Sequence, residues 1–320
     1  MEQLMDMSGA VPMYLNQFCD FFVKSKPGEF QVQQAMSTFA SKLVNDVGGG
    51  LGDFVGAMTG DTKERFYHFA ELFLRNDVVP TSGELVDHRY FYIMPYGIAD
   101  PHLCRESGHG YAVCGLARDI LAGMLRKQNV DSLFLQPDWI NSCRTLTNPS
   151  SRGFVAEQII ISSILSTGLA LENLTYKPTE NIFFTTADSA PLVWSVGCLQ
   201  YAPQAYNYKH IDSLIRLVDK KKGNNRQKVT IIAVQATLQP ISRHKYSLDF
   251  FRSGDYKLWE RDLTVFEVDW HFVWVVCAAE YTNVSKSYPK ATAGNANGNL
   301  PAFTEHALAF GAVNEQLDFL

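Results

Sequence analysis

Two apolar stretches near the middle of the chain decide the fold: His210-Ile-Asp-Ser-Leu-Ile-Arg-Leu-Val218 and Lys228-Val-Thr-Ile-Ile-Ala-Val-Gln-Ala-Thr-Leu238. Both are rich in the β-branched and aliphatic residues that pack on a pleated surface, which predicts two buried strands. Only a short polar segment separates them, so we expect the two strands to form a hairpin with a long turn.

Outward from this hairpin, the chain alternates between helical and extended patterns. The predicted elements are a helix at Gly153–Ser166, strands at Asn181–Thr186 and Leu192–Leu199, a helix from His244 to Arg252 or Trp259, and a strand at His271–Cys277. Turn chemistry at Asn148-Pro-Ser-Ser151 precedes the first helix. The order of helix, several strands, helix and strand predicts a mixed α/β domain over residues 148–320.

The first half of the chain is predicted to be mainly helical. Tyr14–Phe22 and Phe66–Phe73 place apolar side chains at three- and four-residue intervals, and Gly115–Lys127 shows a similar apolar face. We therefore expect a helical segment over residues 1–80 and a connector over residues 81–147.

The charge of the chain is unevenly distributed. A net charge of −5 argues against a protein that coats nucleic acid or anionic lipid by bulk charge. Residues 209–228, however, carry seven Lys or Arg against two Asp. This segment is either a solvated turn or an arm that contacts phosphate. The basic residues that would bind nucleic acid are Lys209, Lys220, Lys221, Lys222, Arg226, Lys228 and Arg243.

The cysteines and the apolar runs restrict the location of the chain. Six cysteines are scattered without a C-x-x-C pair, which favours buried thiols in a reducing compartment. No apolar run has the length of a membrane span, so we expect an intracellular protein without a membrane partner. Four residues are permissible zinc ligands, but their spacing matches no paired zinc knuckle. They are His102, Cys104, His109 and Cys114.

Polar side chains interrupt the predicted helix and both central strands. Glu157 lies in the helix, Asp212 lies in the first strand, and Gln235 ends the second. Carboxylate and amide oxygens are ligands that Mg²⁺ or Mn²⁺ accepts, and such a cation activates water for phosphodiester cleavage. Three further polar residues follow along the chain and could orient that water or neutralise phosphate charge. They are Thr237, His244 and Lys245.

Each of these residues also has an ordinary structural interpretation. Glu157 could face solvent, as most acidic residues of helices do. Asp212 could lie on an exposed edge strand or pair with Arg216, because burying an unpaired carboxylate is costly. Gln235 and Thr237 alternate to the same side and could simply form the polar side of a strand.

Taken together, these residues resemble the nuclease domain of the Crinkler and retrotransposon-hot-spot effector family. The resemblance rests on Tyr201-x-Pro203, on Tyr208-x-x-Ile-Asp-Ser-Leu-Ile215, and on Val234-Gln-x-Thr237 followed by His244-Lys245, with Arg152–Glu157 similar to the preceding helix. It covers roughly residues 148–280, just under half of the chain. The family belongs to the restriction-endonuclease-like PD-(D/E)xK superfamily, so the resemblance implies an αβββαβ core and metal-dependent cleavage of DNA.

The resemblance also implies roles for single residues. Glu157 would be the helix acid, Asp212 the metal-binding aspartate, and Gln235 the second metal ligand, with Mg²⁺ or Mn²⁺ as cofactor. The superfamily pattern has an acid where Gln235 stands and a lysine where Thr237 stands, so Lys245 or His244 would supply the positive group. A neutral amide binds Mg²⁺ less strongly than a carboxylate does. The alternative is therefore a catalytically degenerate module that binds nucleic acid or a partner protein.

The N-terminal half carries a second, shorter resemblance. Ser8-Gly-Ala-Val-Pro-Met-Tyr-Leu15 is similar to the lid helix of signal-transducing ATPases. Proteins of the effector family often join the nuclease to an ATPase and a winged-helix segment. The resemblance thus implies a lid-like segment at 1–80, a helical or winged-helix-like connector at 81–147, and an ATPase module in a longer chain. DNA would then be met in the nucleus, including that of a host cell.

Overall fold

The structure is a computed structural model, and the chain divides into two compact units, Met1–Val130 and Asp131–Leu320. The residues that it describes are 57–58, 60–75, 78–80, 91–95, 107–112, 121, 125, 133–147, 149–172, 174–184, 187, 190–193, 195–203, 210–220, 227–244, 248–260, 266–294 and 300–320. The three predicted segments, 1–80, 81–147 and 148–320, stay predictions.

The described residues of the first unit include a long helix and a small sheet, and Leu121 and Leu125 are helical as well. Helix α1 (Gly60–Arg75) precedes strands β1 (Val78–Pro80), β2 (Phe91–Pro95) and β3 (Ser107–Ala112), which form an antiparallel sheet in the order β1-β3-β2. Phe66 and Phe73 are fully buried on α1, so the helix predicted around them is present. The predicted helix at Tyr14–Phe22 and the lid-like segment lie outside the described residues.

The second unit is a mixed α/β domain. Its helices are α2 (Pro137–Thr145), α3 (Pro149–Thr167), α4 (Asp249–Arg252), α5 (Ala278–Val284) and α6 (Phe310–Val313). Its strands are β4 (Leu169–Leu171), β5 (Leu174–Tyr176), β6 (Asn181–Phe184), β7 (Gly197–Pro203), β8 (Ser213–Val218), β9 (Gln227–Thr237), β10 (Phe266–Val276), β11 (Lys290–Thr292) and β12 (Phe303–Ala309). Short 3₁₀ helices lie at Leu133–Leu135, Ile241–His244, Asp255–Trp259, Ser285–Ser287 and Glu315–Leu317.

Seven strands of this unit form one sheet in the order β11-β12-β10-β9-β8-β7-β6. Strands β7, β8 and β9 are antiparallel neighbours, whereas β9, β10 and β12 run parallel. Ser213 lies opposite Val234 and Val218 lies opposite Val229, which confirms the predicted hairpin. The small hairpin of β4 and β5 stands apart from this sheet.

Both faces of the central strands are covered. On one face, the side chain of Gln200 in β7 donates a hydrogen bond to the Ile161 carbonyl of α3, at 3.1 Å. The other face carries an aromatic layer that packs against β8, β9 and β10. Its ring-bearing members include Tyr201, Phe250, Phe251, Tyr256, Trp259, Trp270, Phe272 and Trp274. This two-sided burial explains why β8 and β9 are almost continuously apolar rather than alternating.

The helix predicted from His244 onward is interrupted. The chain instead forms the 3₁₀ helix Ile241–His244, then α4, then the 3₁₀ helix Asp255–Trp259. Gly254 separates the last two, because its φ of 84° lies in the left-handed region that a right-handed helix cannot contain. A continuous helix in this segment was therefore a wrong prediction.

Two strand predictions also differ from the structure. The strand predicted at Leu192–Leu199 lies at Gly197–Pro203, and it can include Pro203 because a proline at the end of a strand loses at most one ladder bond. Strand β12 was not predicted at all, although it pairs in parallel with β10 over seven residues. Its mixture of polar and apolar residues, with Glu305 and His306 in the middle, hides the apolar pattern of a buried strand.

Two glycines of this unit should respond differently to substitution. Gly168 joins α3 to β4 with φ of +93°, and an added Cβ would lie 3.0 Å from the Tyr176 carbonyl oxygen. At Gly254 the nearest atom to an added Cβ is Lys257 Cδ, at 3.9 Å. We expect Gly254→Ala to lower the free energy of unfolding by about 1 kcal/mol, from backbone strain alone. Gly168→Ala should cost roughly 2–3 kcal/mol, because the carbonyl cannot move aside easily. Denaturant unfolding measures both, and equal losses would contradict the steric explanation.

Candidate active site at the end of strands β8 and β9

Asp212 lies immediately before β8, where the ladder with β9 ends. Its side chain is only 4% exposed. Regular pairing would place Asp212 opposite Gln235, but its backbone N–H donates instead to the Val234 carbonyl, at 2.9 Å. Its carboxylate turns toward β9, where Oδ2 accepts the Ala236 N–H at 2.6 Å. The carboxylate thus satisfies a backbone donor of β9 that lies beyond Ser213, the first residue of β8.

Gln235 contacts the same carboxylate oxygen. Its Nε2 lies 2.8 Å from Asp212 Oδ2 and 3.4 Å from the Ala236 carbonyl oxygen. The structure therefore brings two of the predicted metal ligands into direct contact. It does so with the amide nitrogen, not the amide oxygen, toward the carboxylate.

The backbone is strained just before this site. His210 has φ of 78°, a left-handed conformation that costs a non-glycine residue about 1 kcal/mol or more. Its ring nitrogen Nε2 lies 3.4 Å from Asp255 Oδ2 of the 3₁₀ helix Asp255–Trp259. This contact ties the strained turn to the aromatic face of the sheet and delivers Asp212 to the end of β9.

The electrostatics of Asp212 are unusual for a carboxyl group. Burial raises its pKa to about 7, and the hydrogen bonds from Ala236 and Gln235 only partly oppose that rise. A carboxyl that is partly protonated near neutral pH can exchange its proton for a cation or take part in proton transfer. Burial therefore makes the ionised form a cost to folding at pH 7, which is typical of a functional residue rather than a stabilising one.

Thr237 and His244 form a second polar pair on the same side of β9. Thr237 is buried, and its Oγ1 accepts the Gln239 N–H at 2.9 Å and lies 2.8 Å from His244 Nε2. Burial lowers the pKa of His244, so its imidazole is neutral at pH 7. A neutral imidazole can accept a proton from a hydroxyl group or from a water molecule. Gln235 and Thr237 alternate to one face, so this pair follows Gln235 on the same face of β9.

Glu157 occupies a different position. It is buried in α3, which packs against β9 from the face that Gln200 marks. Alternation with Ile231 and Ala233 places Gln235 on the opposite, aromatic face. The sheet therefore separates Glu157 from Gln235. The role of Glu157 as a ligand stays a prediction.

The basic residues differ in how available they are. Lys220 is exposed after the C-terminal end of β8, at the opposite end of this strand from Asp212. Arg243 is exposed next to His244, where it donates to Gln239 Oε1 at 3.3 Å. Lys228 pairs with Asp269 at 2.8 Å, which competes with any contact to phosphate. Five of the predicted residues lie outside the described part of the chain. They are Lys209, Lys221, Lys222, Arg226 and Lys245.

The ligand chemistry of the site suits a hard cation only in part. Among the described residues, no group of three or more His, Cys, Asp or Glu side chains is placed to hold a metal ion. Mg²⁺ needs less than that, since one or two carboxylates with water and substrate phosphate can hold it. Asp212 offers one such carboxylate. Of the four permissible zinc ligands, His102, Cys104 and Cys114 lie outside the described residues.

The sequence analysis missed a second polar cluster, on the α3 face of β10 and β12. His271 Nδ1 lies 2.9 Å from His306 Nε2, and His271 Nε2 lies 3.5 Å from Asp269 Oδ2, which also pairs with Lys228. Burial and the neighbouring His271 lower the pKa of His306. The alternation of Glu267, Asp269 and His271 was the available signal, but the partner strand β12 had not been predicted.

Comparison of the chain with protein-family models, with curated proteins and with solved structures finds no match. The likeness to Crinkler-type nucleases thus depends on the residues quoted for it. Within the described part of the chain, no helix combines the length and the apolar character needed to cross a membrane.

Replacing Asp212 by asparagine should stabilise the protein at alkaline pH. Asn can keep an oxygen at the Oδ2 position, so both hydrogen bonds persist while the buried charge is removed. The raised pKa of Asp212, about 7, means that the folded wild type binds a proton more tightly than the unfolded chain. The resulting stability is present at pH 4 and is lost as the pH rises through 7. We therefore expect Asp212→Asn to gain on the order of 2–4 kcal/mol over wild type at pH 8, and little at pH 4.

Denaturant unfolding across this pH range measures the difference between the two proteins. Asp249→Asn, which changes a carboxylate of α4 that pairs with exposed Arg252, is the control and should show no comparable gain. A loss of stability in Asp212→Asn at pH 8 would contradict the assignment of a raised pKa.

Proposed function

We propose that the C-terminal unit is a metal-dependent phosphodiesterase that cleaves DNA, of the Crinkler effector type. The observation that carries this proposal is the Asp212 carboxyl, buried immediately before β8 with a pKa raised to about 7 and in contact with Gln235. A stabilising carboxylate gains nothing from such burial, whereas a group that takes up a cation or a proton does.

The order of the elements supports the same proposal. Helix α3 precedes the antiparallel strands β7, β8 and β9, α4 follows, and β10 then runs parallel to β9. This order is similar to the αβββαβ order of a restriction-endonuclease-like core, in which Asp212 and Gln235 would take the strand positions of the metal ligands. The proposal assigns that core to residues 148–320.

The residues of the site divide the chemistry among them. Asp212, with Glu157 from the α3 side, would hold Mg²⁺ or Mn²⁺ once its proton is released. A bound cation of this kind activates water and stabilises charge on the phosphate. His244, neutral and held by Thr237, accepts the proton of the attacking water.

Substrate binding is assigned to the basic residues. Lys245 and Arg243 follow and precede His244 along the chain, so they neutralise phosphate charge next to the proton acceptor. Lys220 is exposed just after Val218, the last residue of β8, and it begins the basic turn that is assigned to the DNA backbone. It therefore stands at the opposite end of β8 from Asp212.

A second candidate function is a module that binds nucleic acid or a partner protein without cleaving. The neutral amide of Gln235 favours it, because the position that supplies a second carboxylate in the superfamily has none here. The same contacts to phosphate serve both functions, so the two differ only in whether the bound phosphodiester is cleaved.

Cleavage is tested with purified protein, supercoiled plasmid, and Mg²⁺ or Mn²⁺. We expect wild type to nick the plasmid and Asp212→Asn to lose at least about 100-fold of that rate, because the variant keeps the fold but lacks the charge that holds the cation. Asp249→Asn should cleave like wild type. Cleavage by Asp212→Asn at the wild-type rate would refute the site, and DNA binding without cleavage under either metal would favour the binding module.

The basic turn is tested by the salt dependence of DNA binding. Changing Lys220, Lys221 and Lys222 to Gln should weaken binding and reduce the slope of log K against log salt by about 0.9 for each phosphate that the variant no longer neutralises. The control changes three exposed lysines elsewhere, Lys177, Lys257 and Lys286, to Gln. Fluorescence anisotropy with a labelled duplex measures both slopes. Equal slopes for the two triple variants would place the DNA elsewhere on the molecule.

A further inference from the structure

The carboxylate of Asp212 uses its two oxygens unequally. Oδ2 accepts two hydrogen bonds, from the Ala236 N–H at 2.6 Å and from Gln235 Nε2 at 2.8 Å. No described residue donates a hydrogen bond to Oδ1. One oxygen is therefore committed to β9 and one remains for a further ligand.

The orientation of the Gln235 amide follows from its surroundings. Its nitrogen faces two acceptors, Asp212 Oδ2 and, at 3.4 Å, the Ala236 carbonyl oxygen. Turning the amide over would place its oxygen against both acceptors and would break the contact with Asp212. Gln235 is thus held as a hydrogen-bond donor whenever Asp212 is ionised and no cation is bound.

We infer that Gln235 is a positioning residue that holds the Asp212 carboxylate in the absence of a cation, and that it does not act as a metal ligand in this arrangement. The Gln235 N–H lies on the side of the carboxylate where a cation held by both Asp212 and residue 235 would have to bind. The site is therefore assembled before any metal binds, and a cation reaches it through Asp212 Oδ1. This inference depends on the proposed function only for the reaction that the site performs.

A glutamate at position 235 would reverse this arrangement. A second carboxylate would stand where a donor now lies 2.8 Å from Asp212 Oδ2, and two buried like charges repel each other. A divalent cation between them would remove the repulsion. Gln235→Glu should therefore convert a site that is stable without metal into one that requires it.

The experiment measures thermal unfolding of wild type and Gln235→Glu at pH 8, first in EDTA and then in a titration with Mn²⁺ alone, without DNA. We expect Gln235→Glu to unfold at a lower temperature than wild type in EDTA. We also expect it to bind Mn²⁺ at least about tenfold more tightly, from the concentration dependence of its midpoint. Gln316→Glu adds the same charge at an exposed position of another element, the 3₁₀ helix Glu315–Leu317, and it should behave like wild type.

A double variant shows whether charge repulsion between residues 212 and 235, and not poor packing of the new side chain, destabilises Gln235→Glu. In Asp212→Asn combined with Gln235→Glu, only one carboxylate remains, so the repulsion between like charges that Gln235→Glu introduces is absent. We expect this double variant to recover the EDTA midpoint that Gln235→Glu loses, even where the single variant fails to fold. Without recovery, or with unchanged midpoint and Mn²⁺ affinity in Gln235→Glu, the inference is overturned.

These outcomes separate the inference from the proposed function. If Gln235→Glu gains Mn²⁺ affinity and the double variant recovers, but no protein nicks plasmid, Gln235 positions Asp212 in a site that is not a nuclease. If wild type nicks plasmid while Gln235→Glu shows neither destabilisation nor tighter Mn²⁺ binding, the nuclease stands and the role of Gln235 is wrong.

Discussion

The register of β8 against β9 is the constraint on which the rest of the C-terminal unit depends. With Ser213 opposite Val234, alternate residues of both strands face the aromatic layer and the others face α3. A slip by one residue would exchange the two sets, so the packing of both faces holds the register in place. The same register determines where the ladder ends, and it is at that end that Asp212 meets Gln235 and Ala236.

The candidate site contains groups that lower the free energy of unfolding. Asp212 is ionised only against the cost of burial, and His210, two residues before it, adopts a left-handed conformation. The surrounding structure compensates, since the aromatic layer and α3 bury the strands on both sides of the site. A rigid sheet with one costly carboxyl at its edge is an arrangement that favours binding or catalysis over folding.

The amide at position 235 gives the site a property that an acidic pair would lack. Two carboxylates in contact need a cation to coexist, whereas a carboxylate and an amide donor satisfy each other. The site is thus satisfied without a metal, and under the proposed function a cation would have to compete with Gln235 and Ala236 for Asp212. If the proposed nuclease is correct, substrate phosphate would have to help bind the cation, because Asp212 alone offers few ligands.

Features of the fold and the site that depend on neighbouring residues could be predicted from the sequence, whereas features that depend on contacts between distant residues could not. Periodicity is local, so the central hairpin, the helix that contains Glu157, and the polar interruptions at Asp212, Gln235 and Thr237 were all visible in the residues themselves. The break at Gly254 was not, because a glycine permits a left-handed turn without requiring one. Strand β12 escaped because its polar residues find partners only after the sheet has formed.

The sequence by itself determined the mixed α/β class, the β8–β9 hairpin and the residue types available to the site. Only the tertiary structure decided which atoms meet: that Asp212 accepts from the Ala236 backbone, that Gln235 offers its nitrogen, that the sheet lies between Gln235 and the helix of Glu157, and that His271 contacts His306. The physical reason is that side-chain alternation is a local property of each strand. The register between strands, and the face on which a helix packs, depend on burying all the apolar residues of the domain at once.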